Sequence, residues 1–183
     1  MGTKFSTRVW VSVVGIASIF WGSKGYADTV ISVADFGLKP DTRENAVAYV
    51  QKAIEACRGK EPVTLVFPEG RYDFWPQYAH EKNYYETNTY DVFPKRLAML
   101  FEGLHNITVD GNGSQFIMHD RIQPITVENC DGVTLKNFSI DWDIPLTAQA
   151  RVTKVGSDFF EIEINVLESP YIIEDGKLVF VGV

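Results

Sequence analysis

Cysteine is nearly absent: Cys57 and Cys130 are the only two in 183 residues. Two thiols cannot define a disulfide framework, and both stand in apolar-periodic surroundings, where a free thiol behaves as a small hydrophobe. An oxidising compartment would permit a bridge between them without requiring one. Positive charge is also scarce. Seventeen Lys and Arg against 24 Asp and Glu give a formal net charge of −7, which argues against nucleic acid or an anionic membrane surface as partner. A neutral partner fits better. There is no Gly-rich phosphate loop, no Cys or His pair at metal-ligand spacing, no serine nucleophile elbow and no basic stripe. A nucleotide-dependent enzyme is therefore disfavoured, and no metal site is expected.

Long hydrophobic runs are lacking too. The uncharged stretch Val9–Trp21 is shorter than the about twenty residues that cross a hydrocarbon core. Preceded by Lys4 and Arg8 and followed by Gly25-Tyr26-Ala27, it reads as a secretory signal peptide over 1–27, cut after Ala27. No Cys lies near the cut, so no lipoprotein anchor and no stable membrane anchor are expected. The exported chain, periplasmic or extracellular, begins at Asp28. Removal of the leader takes away Lys4, Arg8 and Lys24 and no acid, leaving the mature chain more acidic still.

What is present is ordinary for a folded protein: 45% apolar and 22% charged residues, enough for about one domain. Aromatics reach 13%, and core packing is the default reading for most of them. Thr29–Phe36 reads as a β run. Asp41 and Glu44 resemble a capping box, and Ala46, Val47, Val50, Ala53, Ile54 and Cys57 recur at helical spacing up to Gly59, so a helix over 43–58 is expected. Short strands follow at Val63–Phe67 and Arg71–Phe74. Between Trp75 and Lys95 no period is sustained, yet Trp75, Tyr78, Tyr84, Tyr85, Tyr90 and Phe93 stand among His80, Glu81 and Glu86. Irregular connections longer than about 12 to 15 residues are usually functional or disordered, and this one is too aromatic for disorder.

Residues 97–143 repeat when shifted by 26 residues. Met99-Leu100-Phe101-Glu102 falls on Ile125-Thr126-Val127-Glu128, Ile107-Thr108-Val109 on Val133-Thr134-Leu135, and Phe116 on Trp142. Short β runs at such a period, turning at Asn, Asp and Gly, are the mark of stacked coils. The expected architecture is mostly β: the first coils of a right-handed parallel β-helix, with the helix capping its N-terminal end. From 148 the pattern changes to strict alternation, with a hairpin over 150–166 turning at Gly156-Ser157-Asp158 and a last strand over 177–183. The domains are therefore 1–27, a leader; 28–147, cap and first coils; and 148–183, the start of an inserted antiparallel barrel-like unit. Without a cap after Val183 the chain reads as truncated.

Period-two alternation puts Phe138, Ile140 and Trp142 on one side of their strand and Ser139, Asp141 and Asp143 on the other. Asp141 and Asp143 would lie about 7 Å apart along it, compatible with the roughly 6.5 to 9.5 Å between carboxylates of inverting glycoside hydrolases. The same pair would equally serve to solvate a strand end before Pro145. His119-Asp120-Arg121 joins a titratable ring, a carboxylate and a cation, and Arg can fork two hydrogen bonds to sugar hydroxyls; a surface ion pair explains the triplet as well. Trp75 is the best flat face for a sugar ring, or a side chain packed against the coils. Asn106, Asn112 and Asn137 match glycosylation acceptors.

The run Val33-Ala34-Asp35-Phe36-Gly37, the helix ending at Cys57, and Val66-Phe67-Pro68-Glu69-Gly70-Arg71-Tyr72 resemble the entry to the pectate-lyase-like superfamily of β-helix carbohydrate enzymes. More specific are Gly70–Pro76, Pro94–Leu97, His119-Asp120-Arg121, Asn137–Ala150 and Leu167–Tyr171. Together these resemble glycoside hydrolase family 110, exo-acting α-1,3-galactosidases that invert configuration and use no cofactor. The resemblance implies a glycan with terminal α-linked galactose as partner. It also implies catalytic carboxylates on later coils, beyond Val183, so no catalytic residue is assigned here. Asp141, Asp143, His119, Arg121 and Trp75 are the candidates for lining the sugar site. A polysaccharide lyase or epimerase on the same scaffold would need calcium-binding and basic residues for a uronate. A non-catalytic, glycan-binding β-helix is the reading from a different class.

Overall fold

The computed structural model describes residues 29–83 and 94–181. The leader 1–27 and, in the aromatic stretch, Tyr84, Tyr85, Glu86, Tyr90 and Phe93 lie outside the described residues. The described chain is mostly β, with twelve strands and one α-helix. In order these are β1 (Thr29–Ser32), α1 (Val47–Cys57), β2 (Val63–Val66), β3 (Arg71–Phe74), β4 (His80–Lys82), β5 (Lys95–Glu102), β6 (His105–Met118), β7 (Gln123–Glu128) and β8 (Asp131–Trp142), then β9 (Ala150–Val155), β10 (Phe160–Ile164), β11 (Tyr171–Glu174) and β12 (Lys177–Phe180).

The chain returns repeatedly to three ladders. In the first, β1, β2 and the front parts of β6 and β8 run parallel, so that Thr29, Val63, Ile107 and Val133 share one position. In the second, β3 and the back parts of β6 and β8 are parallel, aligning Tyr72, Phe116 and Ile140. In the third, β5 and β7 pair in parallel with Met99 opposite Ile125, and β4 lies antiparallel on the other edge of β5. Parallel strands cannot be joined by a tight turn; here α1 makes the crossover from β1 to β2, and segments of the other ladders make the later ones.

The 26-residue repeat holds for Met99 with Ile125 and for Ile107 with Val133, but not for the last expected pair. Phe116 lies opposite Ile140, and Trp142 opposite Met118. The register shifts between Asp110 and Ser114, because the Gly111-Asn112-Gly113 corner is longer than the Asn137 corner of the next pass. A Cβ on Gly111 would stand 2.5 Å from Phe138 Cβ, so only glycine admits the next pass at this corner.

Inside the ladders Phe116 is the hub. Its ring centroid lies 4.7 Å from Phe67, 4.8 Å from Phe138, 5.6 Å from Phe74 and 6.2 Å from Tyr72. Alternation on β3 and β6 sends Tyr72, Phe74, Phe116 and Met118 inward, where all four are buried. Helix α1 turns Val47, Val50, Ala53, Ile54 and Cys57 into the same core and packs on β1, β2 and β5.

The helix starts later than the expected residue 43. Asp41 and Arg43 take positive φ (62° and 58°), and the Asp41 carboxylate accepts a hydrogen bond from the Arg71 amide (2.9 Å) instead of capping the helix. Asn45 serves the first turn, its Oδ1 accepting from the Val47 amide at 3.2 Å. Strand β1 is shorter than the expected Thr29–Phe36, since Ser32 and Asp35 form a capping box for a single 3-10 turn over Val33–Phe36. Gly59 is left-handed (φ 73°) just past the helix, as expected. The hairpin of β9 and β10 forms where the alternation placed it, with a register shift between Glu161 and Ile162. The last strand stops at Phe180 and pairs antiparallel with β11. Cys57 and Cys130 are free thiols.

Val127, Leu135 and Ile140 on the last pass are 46%, 40% and 38% exposed, and Phe160, Val152 and Val166 of the hairpin region 66%, 54% and 54%. Among the described residues no strand pairs with the far edges of β7 and β8. Open edges beside apolar side chains favour association. The 183-residue chain is expected to bind a hydrophobic dye and to associate as its concentration rises in sedimentation experiments; a monomer without dye binding would contradict this.

Candidate functional site

The inward turn of Tyr72 and Phe74 forces Arg71, Asp73 and Trp75 onto the opposite face of their strand. One pass later Ile117 and His119 occupy that face, and on the next Asp141 and Asp143. The His119 amide donates to Phe74 O (2.9 Å) and the Asp143 amide to Met118 O (3.0 Å), extending the ladder one residue past its strands. Trp75, His119 and Asp143 therefore stand at one position on three successive passes. The Trp75 and His119 rings stack with centroids 3.9 Å apart and planes 7° apart. Asn45 fixes the first of these passes, its Oδ1 accepting from the Trp75 amide (3.2 Å) and its Nδ2 donating to Gln77 O (2.8 Å).

At the centre is Asp73, whose side chain is wholly buried. Its Oδ2 accepts from Arg71 Nε (3.0 Å), and its Oδ1 accepts from Arg71 Nη2 (2.5 Å) and faces His119 Nε2 at 2.8 Å. Burial pushes this carboxyl upward, but the hydrogen bonds and charge of Arg71 and His119 outweigh it and hold its pKa below the ordinary carboxylate value. The hydrogen bond to Asp73 likewise raises Arg71 above its usual value, with Asp143 adding to it. Arg71 Nη2 also reaches Asp143 Oδ1 (2.9 Å), while Asp143 Oδ2 stands 3.9 Å from His119 Nδ1. Asp73, His119 and Asp143 offer ligand atoms within 4.8 Å of one another. Arg71 supplies a cation that both carboxylates face, so the cluster forms an ion-pair network.

Of the sequence candidates, Trp75, His119 and Asp143 come together. Asp141 lies two residues before Asp143 on the same face, exposed, its Oδ1 accepting from the Trp142 amide (2.8 Å). Arg121 lies past the Asp120 turn (φ 56°) and lines a separate hollow of about 260 Å³ with Ile144, Pro145 and Phe180. Arg71 and Asp73 were not among the candidates. The signal was there: in Arg71-Tyr72-Asp73-Phe74-Trp75 the aromatic pair faces in, which leaves a cation, an acid and an indole in one row. Cys57 offers no nucleophile, since burial pushes its thiol up to about 11.

Replacing Asp73 by Asn removes the buried anion that Arg71 and His119 share, and breaking a buried pair costs about 3 to 5 kcal/mol. A depressed folded-state pKa stabilises the protein above the unfolded carboxyl value and ceases to do so as pH falls through the folded value. Urea unfolding of dilute wild-type chain is thus expected to show stability falling below about pH 4, with a shallower acid decline in Asp73→Asn. An unchanged midpoint at neutral pH would contradict the assignment.

No family model matches the chain. It is similar to alpha-1,3-galactosidase B of Bacteroides thetaiotaomicron, 62% identical over 156 residues, covering 85% of this chain and 25% of the relative. It is 36% identical over 153 residues to alpha-1,3-galactosidase A of Shewanella woodyi, covering 83% of this chain and 25% of the relative. With an alpha-1,3-galactosidase B of Phocaeicola vulgatus the identity is 36% over 159 residues, again 85% and 25%. The chain spans about a quarter of the length of these curated relatives, and it is a homologue of the alpha-1,3-galactosidases over most of its own residues.

Proposed function

We propose that this chain forms part of an exported glycoside hydrolase that releases terminal α-1,3-linked galactose from glycans with inversion. In this reading 1–27 is a cleaved leader, 28–147 the cap and first coils of a right-handed parallel β-helix, and 148–183 the beginning of an inserted antiparallel barrel-like unit. The three parallel ladders, revisited in a fixed order, support the β-helix, and the names of the relatives support the substrate. The observation that carries the site is the row of Trp75, His119 and Asp143 on three passes. An indole, a ring nitrogen and a carboxylate side by side suit the apolar face and the hydroxyls of a sugar. Asp141 extends the row, while Arg121 lines the separate hollow with Ile144, Pro145 and Phe180.

These residues bind and orient in this reading. Arg71, paired with both Asp73 and Asp143, fixes the Asp143 carboxylate as a hydrogen-bond acceptor. Inverting hydrolysis needs two carboxylates, one protonating the leaving oxygen and one activating water. We assign that pair to residues beyond Val183 in a protein of the relatives' length. The 183-residue chain is therefore expected not to turn over an aryl α-galactoside, whereas a relative-length protein does so and loses at least about tenfold in kcat/KM in Asp143→Asn. Turnover by the 183-residue chain would overturn the assignment and turn attention to Asp141 and Asp143. Mass spectrometry of exported protein is expected to show Asp28 as its first residue; retention of Val9–Trp21 would refute cleavage.

A further inference from the structure

We propose that the gap between His119 Nδ1 and Asp143 Oδ2 is a binding notch for a single sugar hydroxyl, competent when His119 is protonated. The proposal rests on the galactoside reading above and adds the atoms and the charge state to it. Asp73 is the positioning residue. Its buried carboxylate has only acceptors to offer, so the nitrogen it faces at 2.8 Å, His119 Nε2, must carry hydrogen in either charge state. Protonation of the ring therefore changes one atom, Nδ1.

Nδ1 stands 3.9 Å from Asp143 Oδ2, too far for a direct hydrogen bond. A single oxygen can stand about 2.8 Å from both atoms at once. With the ring neutral, Nδ1 and Oδ2 are both acceptors, and a hydroxyl, having one hydrogen, leaves one of them unmatched. A two-donor molecule such as water suits that state better. With the ring protonated, Nδ1–H donates to the hydroxyl oxygen and the hydroxyl donates to Oδ2, so every group is used. The Trp75 ring stacked on His119 holds the imidazole plane, and an imidazolium against an indole face is favourable. Among the described residues, the charged groups around His119 are Asp73 and Arg71 from β3, Asp143 after β8, and Asp120 and Arg121 on its own turn. Arg71 anchors the other oxygen of Asp143 (2.9 Å), which leaves Oδ2 to face the notch.

The test is titration of the dilute 183-residue chain with D-galactose, affinity being read by saturation-transfer NMR at about pH 5 and about pH 8. Binding about tenfold tighter at the lower pH is expected, as charge-assisted hydrogen bonds exceed neutral ones. In His119→Gln, which cannot change charge, that preference should vanish. Ring ¹⁵N shifts of histidine-labelled wild-type chain should show the Nε2–H tautomer of His119 at high pH. Equal affinity at both pH values, an unaltered preference in His119→Gln, or an Nδ1–H tautomer would overturn the notch while leaving the galactosidase reading intact. Absence of galactose binding at both pH values would overturn the notch in this chain; the galactosidase reading stands or falls separately on turnover by the relative-length protein.

Discussion

Strands stacked in parallel and in register stand about 4.8 Å apart, so a residue in one pass meets residues that follow it by a whole pass rather than by a few positions. Here that places Trp75 against His119, with Asp143 at the same position one pass later. The same geometry builds the core, where Phe116 meets Phe74 of the preceding pass and Phe138 of the next. One periodicity thus serves two faces: alternate residues fill the interior with rings, and those between them line up outside as a polar row. Neither face can be shifted by one residue without exchanging the two sets.

The polar row is organised from its buried end. Asp73 carries its charge out of water and is matched on one side by a guanidinium fork and on the other by an imidazole N–H. Each bond constrains a partner that also faces Asp143, so the half-exposed carboxylate takes its position from an interaction made beneath it. Like charges stacked elsewhere are handled the same way. Glu102 and Glu128 lie opposite each other on β5 and β7, and Lys82 reaches both, at 2.8 and 2.7 Å.

Alternation and repeat length made the parallel passes, the β9–β10 hairpin and the inward aromatics legible in the sequence. What escaped was nonlocal. The two-residue difference between the Gly111–Gly113 corner and the Asn137 corner moved Phe116 from Trp142 to Ile140, a shift invisible to any fixed-period comparison. Asp41 and Glu44 have the spacing of a helix start, yet Asp41 is drawn to the Arg71 amide thirty residues away. Asp73 reads as one acid among 24 until the passes are stacked. His119, Trp75 and Asp143 were legible as chemistry-bearing types but not as neighbours, because their contacts cross one or two passes.

Buried Asp73 and its partner His119, 46 residues apart, should be energetically coupled if they hold the row together. A double-mutant cycle with Asp73→Asn and His119→Gln, read by urea unfolding of the dilute chain at neutral pH, tests it most directly. A coupling of about 1.5 to 3 kcal/mol is expected, the range for hydrogen bonds to charged groups. Additive effects, with a coupling indistinguishable from zero, would contradict it.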